Sequence, residues 1–206
     1  MACLLLIRHG ETIWNREQRF QGALDVPLSE KGREEADLLA ASLADKPLAA
    51  VYASPLSRAR DTAQAVAAHH GLPVLTIEDL SEVNVGEWAG HTWEEVWAKW
   101  PELGRQWHAN PPESPAPPGG EYYPDFQKRC LEAMEGIAAA HEEGEQVAVV
   151  CHGGVIRAVL NQLLGLSWGT RGVFYVKNCG ITRLRWQPQG KVVLEGFNDV
   201  CHLHRK

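Results

Sequence analysis

The residues near the start of the chain with the clearest chemical potential are Arg8 and His9, which follow the apolar run Leu4–Ile7 and precede Gly10. The run has the length of a buried strand, and glycine permits a sharp turn after it. In α/β proteins ligands bind at the C-terminal ends of strands, so we expect Arg8 and His9 to point into a crevice. There the guanidinium could hold phosphate oxygens, and the imidazole could act as a base, a metal ligand or a nucleophile.

A second apolar run, Gln146–Cys151, also ends at a histidine, His152. Parallel strands bring their C-terminal ends to the same edge of a sheet, so we expect His9 and His152 to meet there. A metal site would need a third ligand, and the nearest other pair, His202 and His204, lies near the C-terminus at strand spacing. We therefore expect a site that requires no metal.

The composition limits the class of protein. The chain of 206 residues is long enough for one large domain, and its net charge of −6 argues against a nucleic-acid partner held by phosphate contacts. No stretch approaches the ~20 apolar residues of a membrane span, and no basic region precedes the first apolar run, as a signal peptide would require. The five cysteines are scattered, which favours reduced thiols. We expect a cytoplasmic protein, a monomer or a homodimer, that binds neither nucleic acid nor membrane.

Strand-like and helix-like segments alternate along most of the chain. This alternation predicts a three-layer α/β fold, with a mainly parallel central sheet flanked by helices and an antiparallel hairpin late in the chain. Ile13 to Asp25 is predicted as a loop, and Ser29 as the N-cap of the helix that follows. The predicted strands are 4–7, 48–53, 74–77, 146–151, 180–187 and 191–197, and the predicted helices are 30–44, 56–70, 92–100, 123–143 and 155–164.

The segment from about 85 to 122 differs in composition from the rest of the chain. Trp93, Trp97 and Trp100 recur at helical spacing, which predicts a helix whose aromatic face is used mainly for packing. Prolines then dominate and predict an irregular connection. We interpret the segment as a helical and loop insertion that lies over the mouth of the site. The prolines are Pro111, Pro112, Pro115, Pro117 and Pro118.

Four separated motifs resemble, in the same order, the signature of the histidine phosphatase superfamily, the phosphoglycerate-mutase-like proteins. The most specific is Arg8-His9-Gly10-Glu11-Thr12 with Asn15. The resemblance covers most of the chain and implies a phosphatase that needs neither metal nor cofactor. It would hydrolyse a small phosphomonoester through a phosphohistidine intermediate. The other motifs are Ser54-Pro55-Leu56-Ser57-Arg58 with Thr62-Ala63, Leu80 to Gly90, and Cys151-His152-Gly153-Gly154.

The resemblance implies a role for both histidines. His9 would be the nucleophile, and attack through one ring nitrogen requires the other to carry a proton, which we expect to be donated to a backbone carbonyl near Gly10. His152, if protonated, would add positive charge around the transferring group. The backbone amides of Gly153 and Gly154 open a helix and also suit anion binding.

Glu82 is the general acid that the resemblance implies. A carboxyl group beside a phosphate dianion is disfavoured in its charged form, so it can hold the proton that the leaving oxygen needs. It would then deprotonate the water that attacks phosphohistidine. Asp79 and Glu87 lie close by in the sequence and could be confused with Glu82.

Further residues would hold the phosphate oxygens. Arg8, Arg58 and Asn15 are assigned to this clamp, since arginine fits phosphate in a bidentate manner. Arg60 lies two residues after Arg58, on another helical face, and is predicted to be an ordinary surface charge.

Two loop motifs complete the resemblance. Gln21 and Gly22 match a family loop that lines the substrate side of the pocket. Gly119-Gly120-Glu121 matches a Gly-Gly-Glu segment, but Tyr122 stands where serine usually follows, so the sequence leaves its role open.

The motifs identify a pocket and leave its substrate open. Phosphoglycerate, phosphoserine, a phosphosugar or α-ribazole phosphate would each fit the family. A cofactor-dependent phosphoglycerate mutase is an alternative, although the only lysine or arginine residues from Ala89 to Gly120 are Lys99 and Arg105. A non-catalytic phosphate-binding scaffold is a third interpretation.

Overall fold

The strands of the computed structural model form one mixed sheet. The structure describes residues 2–109, 114–166, 173–187 and 190–204, and in this part of the chain six strands are hydrogen-bonded side by side. In sequence order they are Cys3–Arg8 (β1), Leu48–Ala53 (β2), Val74–Thr76 (β3), Gln146–Cys151 (β4), Ile181–Trp186 (β5) and Val192–Asp199 (β6).

The helices connect the strands and flank the sheet. Short 3₁₀ turns at Glu78–Leu80, Gly86–Trp88 and Cys201–His204 supplement them. In the described part of the chain the α-helices are Ile13–Arg16 (α1), Glu30–Leu43 (α2), Ser57–Ala68 (α3), Trp93–Lys99 (α4), Pro101–Ala109 (α5), Tyr123–Ala139 (α6) and Gly153–Leu163 (α7).

The strand order is β3-β2-β4-β1-β5-β6. The strands β3, β2, β4 and β1 run parallel to one another, whereas β5 runs antiparallel to both β1 and β6. This confirms the predicted α/β fold with a late antiparallel hairpin. The Pro-Gln-Gly sequence at 188–190 predicts a tight turn in this hairpin, and residues 188 and 189 lie outside the described residues. Arg8 pairs with Cys151 in the register of β1 and β4, so His9 and His152 leave the sheet at the same edge.

Alternate side chains of the central strands pack on opposite faces of the sheet, as the period of a strand requires. Leu4 and Leu6 belong to a core cluster with α6 and α7 on one face, and Leu5 and Ile7 to a cluster with α2 and α3 on the other. Because both faces are covered, the strands read as continuous apolar runs in the sequence. The sheet edge that carries the histidines is thus fixed from both sides.

Two helices were not predicted. The loop prediction for Ile13 to Asp25 is wrong at its start, because Thr12 and Asn15 form a capping box: each side chain accepts a hydrogen bond from the other's backbone N–H at 3.1 Å. The second unpredicted helix is α5, Pro101–Ala109, which follows α4 after one residue. The spacing of the tryptophans predicted α4 but gave no sign of a further helix. The N-cap at Ser29 is confirmed, since its hydroxyl accepts the Gly32 amide at 3.0 Å.

The aromatic side chains of the 85–122 segment build a third, smaller core. Trp88 is fully buried among Val85 and Val96, and Trp93 packs against Phe20 with 4.9 Å between ring centroids. Pro111 and Pro112 lie outside the described residues, and the interpretation of the segment as an insertion over the site stays a prediction. No helix among the described residues is long and apolar enough to span a membrane.

Candidate active site

A cleft of about 630 Å³ opens at the edge of the sheet where β1 and β4 end. Eight of the nine predicted site residues line it, and the ninth, His152, lies directly behind His9. The predicted residues on its wall are Arg8, His9, Asn15, Gln21, Gly22, Arg58, Glu82 and Gly153.

The His9 ring is buried and held in one tautomer. Its Nδ1 lies 2.7 Å from the Gly10 carbonyl oxygen, and since a carbonyl can only accept, Nδ1 must carry the proton. This confirms the predicted bond and leaves the lone pair on Nε2. Burial, reinforced by Arg8 and Arg58, holds the pKa of His9 well below its usual range, so the ring is neutral near neutral pH. A neutral imidazole with an exposed lone pair is the form that a nucleophile requires.

The turn that carries His9 is fixed by contacts from distant parts of the chain. The His9 carbonyl accepts a hydrogen bond from Asn178 Nδ2 at 2.9 Å, and the Gly10 amide donates to Thr62 Oγ1 at 3.1 Å. Gly10 itself is required, because a Cβ there would overlap the Gly32 carbonyl. The backbone of the proposed nucleophile is therefore positioned rigidly.

His152 lies edge-on to His9, with 5.1 Å between ring centroids and 60° between ring planes. Its Nε2 is 2.8 Å from Ser54 Oγ, which also accepts the Leu56 amide at 3.3 Å. The serine hydroxyl has one proton and two lone pairs, so it can donate to Nε2, and the proton of a neutral His152 ring then lies on Nδ1.

His152 would add positive charge only if its ring were protonated, and this arrangement disfavours that form. Burial, followed by the neighbouring Arg58, His9 and Arg8, holds the pKa of His152 well below its usual range. The ring is therefore neutral near neutral pH. It offers the site an N–H donor, while the positive charge comes from the arginines.

Arg8 and Arg58 are held by neutral carbonyl groups. Arg8 Nη1 donates to the Val176 carbonyl at 2.7 Å, and Arg58 donates to the carbonyls of Leu24 and Gly22 at 2.7 and 2.8 Å. In the described part of the chain neither guanidinium has a carboxylate within 4.0 Å. Neither guanidinium is therefore paired directly with a carboxylate beside the cleft.

Desolvation acts on both arginines as well. Burial, reinforced by the neighbouring Arg157, lowers the pKa of Arg8 to about 10. Burial likewise lowers the pKa of Arg58. Arg8 stays charged at neutral pH, and a bound anion would recover the solvation that it has lost.

Three buried nitrogen atoms in this site have no hydrogen-bond partner among the described residues. They are Arg8 Nε, Arg58 Nε and His152 Nδ1. Buried polar groups are nearly always paired, so such a set needs an explanation. Arg8 and Arg58 line the cleft, and His152 packs against His9. With the His152 proton on Nδ1, the three nitrogens are donors that match the oxygens of a tetrahedral anion.

Glu82 lies on the wall of the cleft and is held by two backbone amides. Val83 N donates to its Oε1 and Gly154 N to its Oε2, each at 2.9 Å. Asp79 and Glu87 are both exposed and do not line the cleft, so the structure distinguishes Glu82 from its neighbours. The carboxyl group therefore faces the same space as His9.

Asn15, Gln21 and Gly22 also line the cleft. Asn15 Oδ1 accepts from Asn178 Nδ2 at 3.2 Å, and Gln21 Oε1 accepts from Thr12 Oγ1 at 2.9 Å. Gly22 adopts a φ of +53° and presents its carbonyl to Arg58. Gly22 thus acts at least in part by holding the arginine.

Sequence reasoning missed several residues of the site. Arg157 lines the cleft one turn after Gly153, a helical spacing from which it could have been found. Ser54 and Asn178 act through contacts that no local pattern reveals. Other unpredicted residues on the wall are Arg19, Phe20, Trp107, His108, Phe174 and Tyr175. Within the described ranges, no group of three or more His, Cys, Asp or Glu side chains is arranged to hold a metal.

Comparisons with known proteins agree with this geometry. The chain is 36% identical over 203 residues to a metal-independent phosphoserine phosphatase of Arabidopsis thaliana, covering 97% of this chain and 82% of that protein. It is 40% identical over 172 residues to 2,3-bisphosphoglycerate-dependent phosphoglycerate mutase 2 of Gloeobacter violaceus, covering 81% of this chain and 78% of that protein.

Solved structures show the same fold. YhfR of Bacillus stearothermophilus superposes with a TM-score of 0.90 at 34% identity, covering 98% of this chain and all of that one (100%). A phosphoserine phosphatase of Entamoeba histolytica in complex with 3-phosphoglyceric acid gives a TM-score of 0.88 at 30% identity, covering 98% and 100%. The sequence model of one family matches residues 4–199. The chain belongs to the histidine phosphatase superfamily, branch 1.

Proposed function

We propose that the protein is a metal-independent phosphatase that hydrolyses a small phosphomonoester through a phosphohistidine on His9. The observation that carries this proposal is the set of three unpartnered nitrogens, from Arg8, Arg58 and His152, beside a neutral His9. They provide an oxygen-binding site next to a nucleophile. Glu82 provides a proton donor on the same cleft.

The proposed reaction has two steps. In the first, His9 Nε2 attacks phosphorus, the bond from phosphorus to the ester oxygen breaks, and that oxygen takes a proton from Glu82. In the second, ionised Glu82 takes a proton from water, whose oxygen attacks the phosphohistidine. The bond from phosphorus to Nε2 breaks, which releases phosphate and restores neutral His9 and protonated Glu82.

A phosphoglycerate mutase is the second candidate, since several relatives are named as phosphoglycerate mutases or probable phosphoglycerate mutases. Returning the phosphoryl group to a second hydroxyl would call for additional basic residues near the site. Arg105 instead pairs with Glu102 on an exposed surface, and the Lys99 ammonium lies 4.4 Å from the centre of the Trp100 ring. Neither lines the cleft, but Arg19 and Arg157 do, so an assay that measures phosphate release and interconversion in parallel distinguishes the two reactions.

The substrate class follows from the cleft and the relatives. A volume of about 630 Å³ suits a small metabolite. Phosphoserine, phosphoglycerate, a phosphosugar and α-ribazole phosphate stay the candidates. A cytoplasmic location, as a monomer or homodimer, also stays a prediction.

The test is a phosphate-release screen over a panel of monoesters, with 2- and 3-phosphoglycerate interconversion measured in parallel. We expect release from at least one ester and transfer of radiolabelled phosphate to His9. In His9→Ala, release should fall more than about 1,000-fold. The exposed His69→Ala is the matched control. Interconversion without release would favour the mutase, and phosphate binding without turnover would favour a scaffold.

A further inference from the structure

We propose that Arg129 and Glu121 form a positioning pair that fixes the general acid Glu82 from both sides of its backbone. The inference rests on the role proposed for Glu82 in the phosphatase reaction. Arg129 and Glu121 are positioning residues here, because neither is among the residues that line the cleft.

Arg129 holds the backbone that leads into Glu82. Its Nη1 donates to the carbonyl oxygen of Asp79 at 2.7 Å and to that of Ser81 at 2.9 Å. Ser81 directly precedes Glu82, so this donor fixes the carbonyl next to the proposed acid. Arg129 itself is anchored on α6, where its guanidinium lies 4.8 Å from the centre of the Phe126 ring.

Glu121 holds the backbone that leads away from Glu82. Its Oε2 accepts a hydrogen bond from the Asn84 amide at 3.3 Å, and its own amide donates to the Asn84 carbonyl at 2.8 Å. The two residues therefore pair through both polar groups of the Asn84 backbone. This gives the Gly119-Gly120-Glu121 segment a role that does not involve Tyr122, the residue that departs from the family pattern.

The two side chains are joined in a bidentate ion pair. Arg129 Nε lies 2.7 Å from Glu121 Oε1, and Nη2 lies 2.9 Å from Oε2. Both side chains are only about one-fifth exposed, at 22% and 21%. The planar guanidinium uses three nitrogens at once for four acceptors, an arrangement that a lysine ammonium cannot reproduce.

The pair has a consequence for catalysis because proton transfer depends on distance. A general acid must lie within hydrogen-bond reach of the leaving oxygen, and a displacement of about 1 Å can cost about 100-fold in rate. The Glu82 side chain accepts a hydrogen bond from the Gly154 amide on α7, and the Ser81 carbonyl before Glu82 accepts one from Arg129 on α6. Weakening the contact made by Arg129 should shift the carboxyl group without removing it.

The test uses the dependence of rate on the leaving group. Phenyl phosphate has a poor leaving group that needs a proton, whereas the leaving group of 2,4-dinitrophenyl phosphate departs without one. We expect Arg129→Lys and Glu121→Gln to lower kcat/KM for phenyl phosphate at least about tenfold and to change it less than about twofold for the dinitrophenyl ester. The Glu82→Gln variant gives the rate without the proposed general acid. Adding Arg129→Lys to Glu82→Gln should lower the rate on phenyl phosphate no further.

The matched control is Arg185→Lys, which alters another bidentate arginine–glutamate pair, with Glu195, on β5 and β6. We expect its two rates to match those of the wild type, with all thermal midpoints measured in parallel. Equal losses on both esters in Arg129→Lys and Glu121→Gln, or a loss additive with Glu82→Gln, would overturn the positioning role. If Glu82→Gln does not discriminate between the esters, the proposed role of Glu82 fails first, and this inference fails with it.

Discussion

The Gly154 amide lies 2.9 Å from Glu82 Oε2, and a Cβ at residue 154 would overlap Oε1 of the same carboxyl group. The glycine that opens α7 is thus required by the side chain that we propose as the general acid. The family-like His152-Gly153-Gly154 motif therefore couples the second histidine to Glu82, which lies 72 residues before Gly154.

The first prediction concerns Gly154→Ala. The added methyl group displaces Glu82, so we expect kcat/KM for a poor leaving group to fall about 10- to 100-fold. Gly136→Ala is the control, since a Cβ at Gly136 meets nothing within 4 Å. Rates on phenyl phosphate and 2,4-dinitrophenyl phosphate measure the effect. Wild-type rates in Gly154→Ala would mean that the carboxyl group moves without consequence.

Much of the site could be predicted because it lies at strand ends. The apolar runs predicted β1 and β4, and parallel pairing of these strands was enough to predict that His9 lies beside His152. The tautomer of His9 was also predictable, since its partner Gly10 is the next residue. Local patterns suffice where the partner is near in sequence.

The remainder depends on contacts between distant residues. Ser54 is 98 residues from His152, and Asn178 is 169 residues from His9. The Arg129 contact with the Ser81 carbonyl spans 48 residues and resembles any helix arginine in the sequence. The neutrality of His152 could not be foreseen either, because it follows from burial and from four neighbours that the fold brings together.

The second prediction concerns Ser54→Ala. Removing the hydroxyl leaves the buried His152 Nε2 without its partner and frees the ring to turn, so the Nδ1 donor loses its direction. We expect unfolding free energy to fall by about 1–3 kcal/mol. We also expect kcat/KM to fall about 10- to 100-fold. Chemical denaturation and steady-state kinetics measure both, with Ser42→Ala on α2 as control. Unchanged kinetics would show that His152 needs no orientation by Ser54.

The third prediction is a loss of stability in mild acid. The pKa values of His9 and His152 are lowered in the folded protein, chiefly by burial, so both rings bind protons more readily when unfolded. Their contribution to stability is present above about pH 6.5 and is lost as the pH falls below it, by at most about 1.4 kcal/mol per pH unit for each ring.

Denaturant unfolding between neutral and acidic pH, in buffers without phosphate, tests this dependence. We expect His9→Gln and His152→Gln each to flatten the loss of stability with falling pH. The exposed His69→Gln should leave the slope as in the wild type. Equal slopes in all four proteins would mean that the two buried rings do not cause the loss of stability at acidic pH.

The fourth prediction concerns Arg157, which lines the cleft and has no hydrogen bond or ion pair within the ranges that the structure describes. Its Nη1 and the Nε of Arg8 each lie 3.5 Å from the position of a Cβ on Gly153, so the two cations share one side of the cleft. A phosphate held by Arg8 and Arg58 would leave the Arg157 charge available for a second anionic group. We therefore expect Arg157→Met to lower kcat/KM about tenfold more for phosphoserine than for phosphoethanolamine, which lacks the carboxylate. Arg60→Met, at an exposed position of α3, is the control. An equal loss on both esters in Arg157→Met would indicate that Arg157 binds the phosphate group instead of the carboxylate.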